Sequence, residues 1–283
     1  MKIAVASGKG GVGKSMVASA LAMLYANEKK VVAVDCDVDA PDLGIWLGMG
    51  EPRLDEPIST SEKAFIDYEK CSGCGRCAEV CRFGAVRFNG RPEILTYLCE
   101  GCGACAYFCP ERAIEMRPVE NGSLGVTETR FGFPLLTGLL KPGETCSGKI
   151  IADMKGRLDR FTYDVAVLDS AAGIGCPVIA SLTGVDYAVL VTEPTPSGFS
   201  DLKRVLEVVR HFRTPYGLII NKWDMNRRLS GDIEKWAGEA LLGKLSFDRG
   251  VFLALSNLVP ILESGSVVAS EIRDVFERMR DIT

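Results

Sequence analysis

The stretch GKGGVGKS, from Gly8 to Ser15, restricts the fold of this chain more than any other part of its sequence. It satisfies the pattern G-x4-G-K-[ST] and lies between the apolar run KIAVAS at 2–7 and a helical pattern at 14–28. Glycines let backbone N–H groups converge on phosphate oxygens, and the helix N-terminus adds its dipole. Lys14 is expected to reach the terminal phosphates and Ser15 to ligate Mg²⁺. The stretch therefore predicts a nucleotide-binding strand–loop–helix unit.

Further apolar runs follow the loop. Each is nearly continuous, which suits a strand buried on both faces, and helical patterns lie between them. This alternation predicts an α/β fold in which a parallel sheet is flanked by helices. The additional predicted strands are 30–35, 164–169, 186–192 and 216–221, and the additional predicted helices lie near 148–160, 198–212 and 266–280.

The alternation stops between the second strand and residue 118, where the sequence contains an internal repeat. CSGCGRCAEVCRFGAV (71–86) and CEGCGACAYFCPERAI (99–114) align without gaps at an offset of 28 residues. Each copy has the spacing C-x2-C-x2-C-x3-C, and Pro110 follows the last cysteine of the second copy, as in bacterial two-cluster ferredoxins. We predict a small inserted α+β ferredoxin-like domain at 56–117 and a discontinuous nucleotide-binding domain at 1–55 and 118–283.

The repeat predicts two crossed 4Fe-4S sites, because three closely spaced cysteines bind one cluster and the fourth completes the other. The first set is Cys71, Cys74, Cys77 and Cys109, and the second is Cys99, Cys102, Cys105 and Cys81. Two four-cysteine zinc sites are the alternative, although zinc sites generally pair two C-x2-C units. Seven aromatic residues are predicted to pack around the clusters rather than conduct electrons: Phe65, Tyr68, Phe83, Phe88, Tyr97, Tyr107 and Phe108.

Lys9, a second lysine at the start of the phosphate loop, makes this loop resemble that of the MinD/ParA ATPases. Relatives of those ATPases include the nitrogenase iron protein and the Mrp-type iron-sulfur carriers. VDCDVDAPDLGIWLG (34–48) resembles the family's first switch, and VLDSAAGIG (167–175) resembles its second. The resemblance implies an ATPase, slow without a partner, that binds Mg²⁺ and ATP. It also implies a nucleotide-dependent homodimer, or a heterodimer with a related ATPase.

The same resemblance implies roles for individual residues. Asp169 would hold Mg²⁺ through water, Asp35 would support the metal shell, and Asp37 would orient or activate the attacking water. Lys9 would reach across a dimer to the partner's phosphates. The implied catalytic residues are Lys9, Lys14 and Asp37, and the implied nucleotide contacts are Gly8, Lys9, Gly10, Gly11, Val12, Gly13, Lys14, Ser15, Met16 and Asn221.

Two features depart from the family pattern. Met16 stands where the family usually has Thr, which removes a hydroxyl near the inner phosphates. NKWD, at 221–224, mimics the N-K-x-D motif of GTPases, in which Asp224 would bind guanine. Because Lys9 places the loop with the MinD type, in which an Asn at the position of Asn221 faces adenine, we predict ATP rather than GTP.

Three of the eleven cysteines lie outside the repeat. Cys36 is predicted to be a small buried hydrophobe. Cys176 follows Asp169 by seven residues, an offset similar to that of a cluster-ligating cysteine in the nitrogenase iron protein, where two cysteines from each subunit bridge one cluster. Cys146 would be the second ligand of such a dimer-bridging site, and ordinary packing or lone thiols are the alternative.

Composition excludes several classes of partner. Lys and Arg total 33 against 37 Asp and Glu, for a formal charge of −4, and no concentrated basic run indicates nucleic-acid binding. No apolar stretch reaches about 18 residues, so neither a signal peptide nor a membrane span is predicted. The closely spaced cysteines therefore indicate metal binding in a reducing cytoplasm. The single histidine, His211, excludes zinc sites with several histidines.

These features predict an ATPase that couples its nucleotide state to electron transfer through two 4Fe-4S clusters to a redox partner. The first alternative is ATP-dependent assembly or insertion of an iron-sulfur or other metal cofactor into a partner. The second is MinD-like spatial positioning, with the end of the chain as a membrane-targeting helix. That helix has an apolar stripe that we predict to be a core face: Ile272, Val275, Phe276 and Met279.

Overall fold

The computed structural model describes residues 1–280, so 281–283, the end of the predicted ATPase domain, lie outside the described residues. The strands are β1 (Lys2–Ser7), β2 (Val31–Cys36), β3 (Glu56–Ile58), β4 (Ser61–Ile66), β5 (Val86–Phe88), β6 (Pro92–Ile94), β7 (Ile114–Val119), β8 (Gly122–Glu128), β9 (Pro134–Leu140), β10 (Val165–Ala172), β11 (Tyr187–Thr192), β12 (Tyr216–Asn221) and β13 (Leu241–Leu245). The helices are α1 (Lys14–Ala26), α2 (Leu43–Trp46), α3 (Arg76–Val80), α4 (Ala104–Tyr107), α5 (Ser147–Gly156), α6 (Cys176–Leu182), α7 (Pro196–His211), α8 (Arg227–Ala237), α9 (Arg249–Ser256) and α10 (Val267–Arg280).

A nine-stranded sheet has the order β13-β12-β11-β1-β10-β2-β9-β8-β3. Neighbours from β13 to β9 are parallel, whereas β8 is antiparallel to both β9 and β3. This mostly parallel sheet confirms the predicted α/β fold, and the five predicted strands are present with bounds shifted by at most three residues. Because parallel strands end at one edge of the sheet, the loops after β1, β2, β10 and β12 meet there.

The sequence pattern does not predict β8, β9 or β13. In β9, Gly138 lies inside the strand, where glycine ordinarily indicates a turn or a bulge. A Cβ atom there would lie 2.6 Å from the Met154 Sδ atom of α5. The glycine therefore makes room for a helix, which a pattern within one strand cannot reveal.

Helices cover both faces of the large sheet. Residues of α1 and α10 pack on one face, and residues of α5, α6 and α7 pack on the other. The apolar stripe of α10 is buried, which confirms its prediction as a core face, and the Phe276 ring meets the Tyr25 ring edge-on with centroids 4.8 Å apart. None of the helices described within 1–280 is long and apolar enough to cross a membrane.

The cysteine segment is framed by β4 and β7, which pair antiparallel from Ser61–Val119 to Ile66–Ile114. α3, the β5–β6 hairpin and α4 lie between them in the chain. The predicted boundary at residue 56 falls at the start of β3, which pairs with β8 in the large sheet, and β7 continues past 117. The paired strands therefore frame 61–119, and the division into an inserted ferredoxin-like domain stays a prediction.

Candidate nucleotide site and cysteine cavities

The phosphate loop joins β1 to α1, and its shape depends on glycine. Gly11 and Gly13 have φ values of 76° and 92°, in the left-handed region that favours glycine. A Cβ atom at Gly13 would lie 2.4 Å from Asn221 Nδ2, and one at Gly8 would lie 2.2 Å from the carbonyl oxygen of Asp201 in α7. The loop therefore packs so closely on β12 and α7 that no side chain fits at Gly8 or Gly13.

Lys14 forms a buried ion pair at the start of α1. Its Nζ atom lies 2.5 Å from Asp169 Oδ1 and donates a hydrogen bond to Ser15 Oγ at 3.2 Å. The other oxygen of this carboxylate, Asp169 Oδ2, is buried and has no hydrogen-bond partner within residues 1–280. Carboxylate and hydroxyl oxygens are the donors that Mg²⁺ prefers. Asp169 and Ser15 therefore fit the predicted magnesium site.

The carboxyl group of Asp169 gives the protein a predictable pH dependence. Burial raises its pKa to about 6 from an ordinary 3.8, against the attraction of Lys14. The folded chain keeps the proton of the Asp169 carboxyl group up to a higher pH than the unfolded chain does. Asp169 therefore stabilises the fold below about pH 4, and this stabilisation is lost as the pH rises through about 6. Relative to Asp169→Asn, the free energy of unfolding of the nucleotide-free wild type should fall by about 2 kcal/mol between pH 4 and 7.

Urea unfolding of both proteins at several pH values measures this difference. Comparing the wild type with Asp169→Asn cancels the titrations of groups remote from Asp169, whereas Asp35, whose pKa Asp169 raises, contributes to the difference. A difference in unfolding free energy that stays constant from pH 4 to 7 would contradict the raised pKa of Asp169.

Asp35 lies beside Asp169 in register on the neighbouring strand and is fully buried. Its Oδ1 atom accepts a hydrogen bond from the Asp37 N–H at 3.1 Å, and its Oδ2 atom accepts one from the Leu43 N–H at 2.9 Å. Burial and the charge of Asp169 raise the pKa of Asp35 well above its ordinary value. Asp35 thus holds together the two ends of the loop between β2 and α2, within the first switch, and its role in the metal shell stays a prediction.

Lys9 and Lys222 share the carboxylate of Glu193, which follows β11. Lys9 Nζ lies 2.9 Å from Glu193 Oε1, and Lys222 Nζ lies 3.3 Å from Glu193 Oε2. Lys222 also donates a hydrogen bond to the carbonyl oxygen of Gly11 at 3.1 Å. Burial acts to raise the pKa of Glu193, but the two lysines outweigh it and lower that pKa. Lys9 is bound within its own chain here, and its reach across a dimer stays a prediction.

A cavity of about 440 Å³ lies beside the phosphate loop at the carboxyl edge of the sheet. Of the predicted site residues, it brings together Gly10, Gly11, Gly13, Lys14, Ser15, Met16, Asp37 and Asn221. The predicted residues that do not line it are Gly8, Lys9, Val12, Asp35 and Asp169. Asp42 and Trp46 of the first-switch motif also line it, and the lining residues that no sequence motif indicates are Ser246, Phe247, Asp248, Val251, Phe252 and Leu255.

Asn221 lines this cavity, but both ends of its side-chain amide are bonded. Nδ2 donates to the carbonyl oxygen of Val12 at 2.7 Å, and Oδ1 accepts from the Lys222 N–H at 2.9 Å. Asp224 does not line the cavity and accepts a hydrogen bond from the Phe247 N–H at 2.8 Å. In this structure both side chains therefore hold loops in place.

Two further cavities lie in the cysteine segment. Each is lined by one of the two crossed sets of four cysteines. The first, of about 20 Å³, is lined by Cys71, Cys74, Cys77 and Cys109. The second, also of about 20 Å³, is lined by Cys81, Cys99, Cys102 and Cys105.

The two halves of the cysteine segment repeat their backbone geometry. The Ala85 N–H donates to Cys81 Sγ at 3.3 Å, and the equivalent Ala113 N–H donates to Cys109 Sγ at 3.3 Å. Left-handed glycines separate the cysteines: Gly73, Gly75, Gly101 and Gly103. In the part of the chain that the structure describes, no group of three or more His, Cys, Asp and Glu side chains is set to hold one metal ion. A cubane cluster does not need such a group, because each of its four cysteines binds a different iron atom.

Comparison with known proteins decides the family. A family model described as the CobQ/CobB/MinD/ParA nucleotide binding domain matches residues 3–261. The chain belongs to this family. An uncharacterized protein of Methanocaldococcus jannaschii is 35% identical over 281 residues, which cover 99% of this chain and 97% of that relative. MinD of Pyrococcus horikoshii OT3, solved with Mg-ADP, has a TM-score of 0.64 at 17% identity over 99% of this chain and 96% of that one.

A third similarity is shorter. An iron-sulfur cluster carrier protein of Pseudomonas fragi is 41% identical over 68 residues, 24% of this chain and 23% of that protein. Family membership confirms the predicted nucleotide-binding domain of the MinD/ParA type, and the matched range contains the phosphate loop and both switches. The roles of individual residues, hydrolysis and the clusters stay predictions.

The aromatic residues around the cysteines of this MinD/ParA-family chain are more exposed than predicted. Tyr107 is 84% exposed, Tyr97 66% and Phe108 51%. The prediction that all seven pack around the cysteine sites is therefore wrong. The buried core of the segment is instead formed by small and medium-sized side chains, namely Ala64, Cys77, Cys105 and Ile114.

The three remaining cysteines have different surroundings. Cys36 is fully buried, as predicted, and burial raises the pKa of its thiol to about 12. Cys146 precedes α5 with a left-handed φ of 74°, and Cys176 is the exposed first residue of α6. A Cβ atom at Gly148 would lie 3.4 Å from Cys176 Cβ, so the two helix starts are neighbours. A dimer-bridging cluster at these cysteines stays a prediction.

Proposed function

We propose that this protein binds and hydrolyses MgATP and that its nucleotide state controls electron transfer through two 4Fe-4S clusters to a redox partner. The observation that carries the proposal is that two separate cavities are each lined by one crossed set of four cysteines. When bound, such clusters supply one-electron transfer. The reducing cytoplasm that the cysteine pattern predicts is the compartment we propose.

The backbone around the cysteines supports the cluster sites. Cys81 and Cys109, the cysteines that cross between the two halves, each accept an N–H hydrogen bond. N–H donors stabilise a thiolate and tune a bound cluster. Burial raises the pKa of the Cys105 thiol to about 11, so metal binding must displace its proton. The family resemblance predicts the nucleotide site, and the repeat contains eight cysteines at the spacing of 4Fe-4S ligands.

The nucleotide site supports hydrolysis by positioning and charge neutralisation. Burial disfavours the Lys14 cation, but the charges of Asp169, Asp37 and Asp35 outweigh burial and raise the pKa of Lys14. Lys14 thus stays cationic for the terminal phosphates. Within residues 1–280 Asp169 Oδ2 has no hydrogen-bond partner, and a magnesium-bound water would supply one. Burial also raises the pKa of Asp37, which lines the cavity where the attacking water would lie.

A chain of close contacts supports coupling between the second switch and the cysteine segment. Cys176 directly follows the switch at 167–175, and Gly148 of α5 packs against it. Before α5, Glu144 Oε1 lies 2.7 Å from Nζ of Lys63, a buried residue of β4. A buried ion pair resists separation because either charge would be left unpaired. A shift of α5 would therefore displace β4 as well.

β4 in turn contacts a cysteine loop. A Cβ atom at Gly101, between Cys99 and Cys102, would lie 2.2 Å from the carbonyl oxygen of Glu62. The adjoining turn is held by Asn121, which is fully buried and bonds both the Thr60 N–H at 2.8 Å and the Thr145 carbonyl oxygen at 2.9 Å. The second cysteine cavity and the second switch are thus connected through packed backbone and side-chain contacts, which supports a route for coupling.

The assembly of a metal cofactor in a partner is the second candidate. An exposed Cys176 beside the start of α5 and the partial similarity to an iron-sulfur carrier favour it. Under this alternative a homodimer would hold a transferable cluster between the Cys146 and Cys176 pairs. Replacing both cysteines with alanine would then lower iron content and partner activation. Under electron transfer, the same change leaves iron content unaltered.

Anaerobic purification of the full chain, followed by iron analysis, EPR and a phosphate-release assay, tests the proposal. We expect about eight iron atoms per chain, EPR signals of two interacting 4Fe-4S clusters after reduction, and MgATP hydrolysis. A protein that holds two zinc ions and no iron would overturn the electron-transfer role while leaving the nucleotide site intact.

A further inference from the structure

At the end of the nucleotide cavity beyond the phosphate loop, the Asn221 and Asp224 side chains of the NKWD motif already make hydrogen bonds within the chain. The amide of Asn221 is bonded to Val12 and Lys222, and the carboxylate of Asp224 is bonded to Phe247. A nucleotide with its phosphates at the loop must place its base toward this end. Asp224 does not line the cavity, and Asn221 keeps only one amide hydrogen and one carbonyl lone pair for a base, so other lining side chains must supply most of the base contact.

The loop after β13 forms the wall beside Asn221, because Leu245 pairs with Asn221 in register. Carboxylates fix this loop residue by residue. The Ser246 N–H and hydroxyl bond Glu271 at 2.7 Å and 2.5 Å, and the Phe247 N–H bonds Asp224 at 2.8 Å. The next residue, Asp248, caps the N-terminus of α9. The backbone of this wall is thus held rigidly.

Two aromatic side chains project from this rigid wall. Phe247 is 52% exposed, and Phe252, in the first half of α9, is 70% exposed, yet both line the cavity. Apolar rings left open on a fixed backbone form a preorganised surface for a flat ligand. Every nucleobase offers such a face for stacking.

We infer that Phe247 and Phe252 bind the nucleobase by stacking and that Asp224 is a positioning residue that holds the Phe247 backbone. This inference rests on the nucleotide site of the proposed function and is independent of hydrolysis and of the clusters. Stacking contacts the face of the nucleobase, whereas hydrogen bonds would contact its edge. The same aromatic wall therefore serves adenine and guanine nucleotides.

Calorimetric titration of the full chain with ADP and with pyrophosphate separates base binding from phosphate binding, since pyrophosphate has the two phosphates without the base. Phe252→Ala should weaken ADP binding about 5- to 150-fold, the range of stacking on one aromatic ring. Its affinity for pyrophosphate should stay unchanged, and Phe252→Trp should restore ADP binding. Leu253→Ala is the matched control, because Leu253 is the exposed neighbour in α9 that does not line the cavity.

Asp224 variants test the positioning role. Asp224→Ala should weaken the binding of ADP but not that of pyrophosphate. Asp224→Asn keeps an acceptor for the Phe247 N–H and should bind both ligands with the wild-type affinity. Unchanged ADP affinity in Phe252→Ala, or equal losses for ADP and pyrophosphate, would overturn the inference. A wild type that binds neither ligand would instead contradict the proposed function.

Discussion

Replacing Cys109 with alanine is expected to remove the same cluster as replacing Cys71, although Cys109 belongs to the other copy of the repeat. Both thiols line the first cavity, and the loss of either leaves one iron of that cluster without its thiolate. Iron content should fall from about eight to about four atoms per chain. The EPR spectrum of the surviving cluster should be the same in both variants, as measured on anaerobically purified protein.

The reciprocal pair is Cys81→Ala and Cys99→Ala, which both alter the second cavity. Cys36→Ala is the matched control, because Cys36 lies in the core of the large sheet, and it should retain all of the iron. If the surviving cluster in Cys109→Ala instead matched that in Cys99→Ala, each copy of the repeat would hold its own cluster and the crossed ligation would be wrong.

Lys14→Met is expected to lower the rate constant of MgATP hydrolysis by about 10² to 10³, the usual effect of removing one preorganised charge from a transition state. Steady-state phosphate release measures it. Lys235→Met, on the exposed surface of α8, is the control and should hydrolyse ATP at the wild-type rate. A Lys14→Met protein with wild-type turnover would exclude the phosphate loop as the catalytic site.

The same substitution should also destabilise the nucleotide-free fold. Lys14 and Asp169 are almost fully buried, and removing the cation leaves the carboxylate unpaired, at a cost of about 3–5 kcal/mol in the free energy of unfolding. Adding Asp169→Asn removes that charge, so the double variant should regain much of the stability but none of the activity. This separates a folding defect from a catalytic one.

The features that could be predicted from the sequence are those fixed by local chain geometry. The phosphate loop at Gly8–Ser15 is a single turn between a strand and a helix, so its residue types carry its structure. The crossed cysteine sets could also be predicted, because the repeat brings Cys109 back to the site that Cys71 begins. In both cases a short motif determines the positions of the side chains.

Features that depend on long-range packing could not be predicted. Glu193 holds Lys9 from 184 residues away. The aromatic wall at Phe247 and Phe252 depends on the pairing of β13 with β12, and no pattern in β13 indicates a strand. The exposure of Tyr107 cannot be predicted, because the sequence gives the number of aromatic residues but not the size of the core that would receive them.

Coupling between nucleotide and cluster is tested by an anaerobic redox titration of both clusters, followed by EPR, with and without MgATP. Allosteric coupling of about 1–3 kcal/mol corresponds to a shift of about 40–130 mV in a one-electron midpoint potential. We expect a shift of this size for at least the second cluster, whose cysteine loop contacts β4.

Two variants make the measurement specific. Lys14→Met should show no shift, because it lacks the phosphate contact. The double variant Lys63→Met with Glu144→Met replaces the buried ion pair with apolar side chains, which such sites tolerate, and should bind MgATP and both clusters while losing most of the shift. Midpoint potentials that stay the same when MgATP is bound to the wild type would contradict nucleotide control of electron transfer.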